Sequence, residues 1–146
     1  MVPGVLLRSL IVAVALAVSA PPAAAAQPVN GLPNHFAFGL SAAPGDTWMP
    51  SSGIPWDYRF QYLAGGVNTN QGWETWNPGG TFALNYAQES ARNGYIPMFP
   101  YYELLQSKGS CSNCDENKKD LTNLNDPGVM QAYFHNFALL MQRLGP

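Results

Sequence analysis

The chain has 146 residues, with seven Lys and Arg against nine Asp and Glu, for a formal net charge of −2. So few charges and the lack of a basic run argue against a nucleic-acid partner. Its length suits one small domain, and its Trp, Tyr, Asn, Gln and Gly content is typical of secreted proteins that meet neutral polar ligands.

The amino terminus has the pattern of a secretory signal peptide, over residues 1–26. Arg8 supplies its positive region, residues 10–18 form its apolar run, and the alanines at 24–26 precede the cleavage point. The apolar run is too short for a stable membrane anchor, although an uncleaved anchor and an apolar helix of the fold are the alternatives. We therefore predict a secreted, extracellular protein without an anchor after cleavage, and a flexible leader over residues 27–34.

The first predicted strand covers residues 35–41, where apolar and polar residues alternate before a Pro-Gly turn. The loop that follows, residues 44–56, carries Asp46 and Trp48, which we predict to bind substrate. His35 lies at the entry of the strand, a position that favours a packed or exposed histidine over a catalytic one.

A second strand is predicted over residues 56–67, because the aromatic residues at 58, 60 and 62 share one face at period two. Arg59 lies on the other face, where we expect an ion pair with Asp57. A helical turn over residues 56–62 before a strand over 63–67 is the alternative interpretation.

Residues 68–80 form a predicted loop that places Trp73, Glu74 and Trp76 among amides and glycines. In a protein of alternating strands and helices this loop leaves the carboxyl end of a strand, where ligands bind. We predict that all three residues contact substrate, with core packing as the alternative for the indoles. Thr81 is the predicted cap of a helix that runs to about Asn93.

The most informative stretch follows that helix. Asn93-Gly94 is a helix stop, and a short buried strand is predicted over residues 95–99. Because Pro97 cannot donate to a sheet, the strand is either very short or lies at an edge. Tyr101, Tyr102 and Glu103 close the strand, and we predict that they face a ligand site.

Residues 106–125 are polar and predict an exposed excursion that contains the two cysteines, Cys111 and Cys114. In a secreted protein this pair favours a local disulfide. Half of a zinc site and a redox motif are the alternatives, but no further Cys or His pair completes four zinc ligands. The sequence predicts no metal and no cofactor.

The last predicted helix begins with Asp126 as N-cap and Pro127 at its first position, and it ends at Gly145. Apolar residues recur along it every three or four positions and predict one buried stripe; they are Met130, Tyr133, Phe134, Phe137, Leu140, Met141 and Leu144. His135 lies off this stripe and is predicted to face solvent.

The alternation of strands and helices predicts an α/β fold with a parallel sheet over residues 35–146. Three strands cannot close a barrel, so we expect the chain to be the amino-terminal portion of a longer protein or a truncated reading frame. A complete small α/β domain is the alternative.

Three segments resemble the opening units of secreted bacterial (β/α)8-barrel proteins of the glycoside-hydrolase type. They are the first strand, which ends at Gly39-Leu40-Ser41, residues 56–66 and residues 94–103. The resemblance covers about residues 35–145, less than half of such a barrel. It implies the first units of a TIM-type barrel and a carbohydrate-directed enzyme, inactive alone if incomplete.

Glycoside hydrolysis uses two carboxylates, and Glu103 is the leading candidate because its apolar neighbours would raise its pKa, as a general acid requires. Glu74 is the second candidate, either for catalysis or for orienting a sugar hydroxyl. A non-catalytic secreted protein that binds carbohydrate or acts at the cell surface is the alternative function. Phosphate chemistry and serine-hydrolase chemistry lack their sequence motifs.

Overall fold

A computed structural model describes residues 30–107 and 111–145. The predicted signal peptide and the first leader residues lie outside the described part. The described residues form three short strands, four helices and a single 3₁₀ turn, in this order: β1 Gly39–Ser41, α1 Trp48–Ser51, β2 Tyr58–Phe60, the 3₁₀ turn Trp73–Thr75, α2 Thr81–Arg92, β3 Ile96–Met98, α3 Glu116–Leu124 and α4 Pro127–Leu144.

The strands form a parallel sheet in the order β1-β2-β3, with Tyr58 opposite both Gly39 and Ile96. A further parallel bridge joins Leu63 to Tyr101 beyond the strand ends. The predicted parallel arrangement is therefore confirmed, and the helical alternative for residues 56–62 is wrong because β2 pairs on both sides. The described residues form no closed barrel, so the TIM-type barrel stays a prediction.

All three strands are shorter than predicted. Residues 35–38 precede β1 without strand geometry, and β2 covers only three residues of the predicted 56–67. The alternating pattern continues beyond the paired residues because side chains alternate in any extended segment, whether or not its backbone pairs. Within the described sheet β3 is an edge strand, which accommodates Pro97 as the sequence suggested.

The helices cover one face of the sheet. Trp73 and Leu63 are fully buried there, and they form a core with Ala83 of α2 and Leu140 of α4. The other face is open and apolar. It forms a shallow trough of about 700 Å³, lined chiefly by Leu32, Phe38, Tyr58, Phe60, Ile96 and Met98.

Two helix predictions need correction: the cap of α2 differs from the prediction, and α3 was not predicted. α2 begins at Thr81, but Gly80 occupies the N-cap position in a left-handed conformation, and the Thr81 hydroxyl instead donates to the Asn77 carbonyl. Helix α3 replaces part of the predicted excursion, because the Asp115 carboxylate accepts the Lys118 amide and caps it. Its low hydrophobicity hid it from a search for apolar periodicity.

Helix α4 is confirmed from its first residue to its last. The Asp126 carboxylate accepts the amides of Gly128 and Val129, and Pro127 stands at the first position. The predicted stripe is only partly buried: Leu140 is in the core, whereas Phe134 is 62% exposed. Phe137 and Met141 are also exposed, because α2 and α3 cover only part of this helix.

The Sγ atoms of Cys111 and Cys114 lie at bonding distance, with 5.6 Å between the Cα atoms, so the predicted local disulfide is present. No helix in the described ranges is long and apolar enough to cross a membrane.

Candidate functional site

Glu103 lies just beyond the carboxyl end of the sheet, and none of its surface is exposed. Neither carboxylate oxygen has a hydrogen-bond partner within residues 30–107 and 111–145. Burial, and then the nearby carboxylate of Glu74, raise the pKa of Glu103 to about 8. Glu103 therefore carries a proton at neutral pH, as its sequence neighbours predicted.

The backbone explains why this carboxyl group is held inside. The amide of Tyr102 donates to the Leu63 carbonyl at 2.8 Å, which ties residues 101–103 to the end of β2. Immediately after, the Ser107 hydroxyl donates to the Glu103 carbonyl at 2.6 Å and begins a turn. The backbone of Glu103 is thus fixed between the end of the sheet and the turn.

Glu74 is the second carboxylate and lies in the 3₁₀ turn. This turn is anchored where the Trp73 amide donates to the Ala64 carbonyl at 2.9 Å. One oxygen of Glu74, Oε2, is buried without a hydrogen-bond partner, while other atoms of the residue line an open cleft. Glu74 therefore connects the buried Glu103 to a surface that a ligand can reach.

The cleft has a volume of about 540 Å³ and separates the loop after β2 from the first half of α4. Its polar lining, which we call the polar cleft, consists of Asn68, Asn70, Glu74, Gln131, His135 and Asn136. Asn68 and Asn70 hold left-handed backbone conformations, with φ near +60°, which Asn tolerates better than most residues. Amides, one carboxylate and one imidazole supply donors and acceptors for a neutral, hydroxyl-rich ligand.

The sequence predicted that the loop after β2 lies on the ligand face and that His135 faces solvent. It did not predict that this loop and His135 line the same cleft. Gln131, His135 and Asn136 share one side of α4, and no apolar pattern marks that side. The only available signal was the dense run of amides at 68–71, together with the polar residues opposite the helix stripe.

The two predicted site tyrosines have different surroundings. Tyr101 is half-buried, its hydroxyl donates to the Tyr133 carbonyl at 3.2 Å, and burial raises its pKa. The Tyr102 hydroxyl instead bonds to Glu116, which raises the pKa of Tyr102 to about 12. The Tyr102 ring stands 6.0 Å from that of Tyr62, edge to face. Tyr101 thus serves the packing, and Tyr102 lies nearer the surface.

The four tryptophans do not converge. Trp73 is fully buried in the core and offers no surface to a ligand. Trp76 packs against that core and donates from Nε1 to the Gln71 carbonyl at 3.0 Å. Trp48 and Trp56 pair with each other before β2, at the amino end of the sheet. Asp46 lies in an exposed turn, where its carboxylate accepts the Ala43 amide.

The expected Asp57–Arg59 ion pair is wrong. Asp57 precedes β2 and turns its carboxylate to His35, with 2.8 Å between Oδ1 and the ring Nε2. Arg59 points into the helix layer and pairs with Glu89 of α2 at 2.8 Å. The two side chains therefore have different partners, because His35 engages Asp57 and α2 supplies Arg59 with a carboxylate.

No group of three or more His, Cys, Asp or Glu side chains within residues 30–107 and 111–145 could hold a metal ion. Comparisons with protein-family models, with curated proteins and with solved structures find no match to this chain.

Proposed function

We propose that this chain is a carbohydrate-directed protein and that the polar cleft binds a neutral saccharide. The observation that carries the proposal is the convergence of four amide side chains, one carboxylate and one imidazole on a single open cleft. Such groups form paired hydrogen bonds with adjacent hydroxyls, because amides and carboxylates supply acceptors and amides also supply donors.

The charge of the cleft supports the same class of ligand. Among the residues that the structure describes, neither Lys nor Arg lines the cleft, and Glu74 is its one acidic residue. A phosphate or sulfate group would meet that negative charge without a cation to compensate it. A neutral polyhydroxy ligand meets no such penalty.

Glycoside hydrolysis, within a larger barrel, is the second candidate function. It is favoured by one observation: Glu74 lines the cleft, and the protonated Glu103 lies beside it. Acid-assisted glycoside cleavage requires a pair of carboxyl groups, one of which has a raised pKa and can donate a proton, as burial provides for Glu103. Because Glu103 is fully buried, the loop after β2 would have to move before this carboxyl group could reach a substrate.

The test is calorimetric titration of the purified chain with soluble cello-, xylo-, manno- and chito-oligosaccharides. We expect binding to one series and a roughly fivefold weaker affinity in Gln131→Ala, since one lost hydrogen bond costs about 1 kcal/mol. Gln142→Ala is the matched control, because Gln142 is exposed on the same helix but does not line the cleft.

If no series binds, or if both glutamine variants bind as the parent does, the cleft is not the saccharide site. Chromatography of the same mixtures tests the second candidate. Released sugars that disappear in both Glu74→Gln and Glu103→Gln would support hydrolysis, whereas release unaffected by either change would exclude these two residues from the chemistry.

A further inference from the structure

A row of aromatic rings lies at the amino end of the sheet, opposite the carboxyl end where Glu103 and the polar cleft are found. Phe36, Phe38, Trp56 and Trp48 follow one another, and we call them the aromatic strip. The ring centroids are separated by 6.5, 5.5 and 6.0 Å in that order. These steps are comparable to the length of one sugar ring in a polysaccharide.

The strip is held in place by polar contacts beneath and beside it. Trp56 is half-buried, and its Nε1 donates to the Ser52 hydroxyl at 2.9 Å. Phe38 and Trp48 stand edge-on to Trp56, at 75° and 80°. The Phe38 amide donates to the Asp57 carboxylate at 3.2 Å, and the same carboxylate bonds to His35. Trp56 is therefore a support that fixes its neighbours on either side.

The remaining rings are largely open to solvent. Phe36 is 89% exposed, and Phe38 and Trp48 are about 40% exposed. The planes of Phe36 and Phe38 differ by only 32°, so the two rings lie nearly side by side rather than edge to face. Exposed aromatic groups in one contiguous patch indicate an interaction surface, since isolated apolar residues are the usual case on a protein exterior.

The charges around the aromatic strip limit the chemical class of partner that it can bind. Residues 30–58 contain neither Lys nor Arg, and Asp46 and Asp57 lie within this segment. An anionic membrane or a nucleic acid would therefore find no cation along the strip. A neutral polysaccharide suits it, because sugar rings offer apolar C–H faces to the aromatic rings and hydroxyls to the His35–Asp57 pair.

We infer that the aromatic strip is a second saccharide-binding surface, one that holds an extended neutral polysaccharide. The inference shares with the proposed function only the class of ligand, because it uses different residues at the opposite end of the sheet. It assigns a role to Phe36 and Phe38 that the sequence pattern did not suggest.

The test is depletion of the purified chain from solution by cellulose, chitin and insoluble xylan particles. We expect retention on one of these polymers and at least a tenfold weaker retention in the Phe36→Ala/Trp48→Ala double variant. Phe36→Ala alone should give part of the loss, and this ring is so exposed that its removal leaves the core intact. Phe134→Ala is the matched control, because this phenylalanine is exposed on α4, away from the strip.

Retention by none of the three polymers, or equal retention of the double variant and the parent, would overturn the inference. Parallel sedimentation with phosphatidylcholine vesicles distinguishes a lipid surface, which would also overturn it. Gln131→Ala separates the two sites: it should weaken oligosaccharide binding and leave particle retention unchanged. If the chain binds oligosaccharides in the titration but is not retained by the particles, the inference about the aromatic strip is wrong and the proposal about the polar cleft still stands.

Discussion

Arg59 and Glu103 are both buried ionisable residues, but the protein treats them in opposite ways. The guanidinium of Arg59 pairs with Glu89, donates to the Ala43 carbonyl and lies 4.6 Å from the centre of the Tyr86 ring. The carboxyl group of Glu103 has no hydrogen-bond partner in the part of the chain that the structure describes. The charge of Arg59 is therefore compensated by its partners, whereas Glu103 stays neutral by keeping its proton.

The difference separates a structural group from a candidate functional one. A buried charge with a full set of partners holds elements together, here β2, the segment after β1 and α2. A buried carboxyl group without partners lowers stability once it ionises, and such groups concentrate at functional sites. The contrast makes three predictions about stability.

The largest effect is expected when the compensated group is removed. Arg59→Met should lower the free energy of unfolding by about 3 kcal/mol, because it leaves the Ala43 carbonyl and the Glu89 carboxylate without their partner. Chemical denaturation at pH 7 measures the change. Arg92→Met is the control, since Arg92 is exposed on α2, and it should change stability by less than about 0.5 kcal/mol. Equal effects of the two variants would contradict a structural role for Arg59.

The second prediction concerns Glu103 and the pH. Its folded-state pKa is raised to about 8, so the native state binds a proton that the unfolded chain loses near pH 4.3. Stability should therefore be full below about pH 4.3 and should decline as the pH rises to about 8, by roughly 4 to 5 kcal/mol.

Glu103→Leu should remove this decline and make the protein more stable than the parent at pH 8, because a buried apolar side chain needs no partner. Glu103→Gln should remove the pH dependence as well, without the gain. Denaturation midpoints at pH 5 and pH 8 measure the change in stability for the parent and for both variants. If stability still declines with pH in both variants, another titrating group causes the decline.

The smallest effect is expected at Glu89. Burial raises the pKa of this carboxyl group, but the Gly45 amide and the Arg59 guanidinium outweigh burial, and the net pKa is lowered. Its contribution is therefore present above the unfolded-state pKa and is lost as the pH falls through the folded-state value. Glu89→Gln should cost about 1 kcal/mol at pH 6, and this cost should shrink as the pH falls below the unfolded-state pKa of about 4.3. The same cost at both pH values would show that the carboxylate's charge is irrelevant.

The sequence was most informative where a local signal decides the outcome. Asp126 and Pro127 predicted the start of α4 because capping is a contact between neighbours. The length of each strand depends instead on which residues pair with a neighbouring strand. The alternation of apolar and polar residues does not indicate where this pairing begins or ends. Helix α3 escaped notice because the cap at Asp115 stabilises it without an apolar stripe.

The candidate site shows the same limit. Glu103 was predicted from its apolar neighbours, and its burial follows from those neighbours. The polar cleft required knowledge of how α4 lies against the loop after β2, some sixty residues earlier in the chain. Arg59 illustrates the point again, since its carboxylate partner lies on α2 and not on its own strand.

The order of strands in the sheet, β1-β2-β3, is also their order along the chain. Each strand pairs with the one that precedes it, so no strand must wait for a later segment to be inserted between two earlier ones. The sheet can therefore grow from its amino-terminal edge during synthesis, one strand at a time. Each pairing step must nevertheless close a long connection, residues 42–57 between β1 and β2 and residues 61–95 between β2 and β3, so we expect strand pairing to be slower than the formation of the helices.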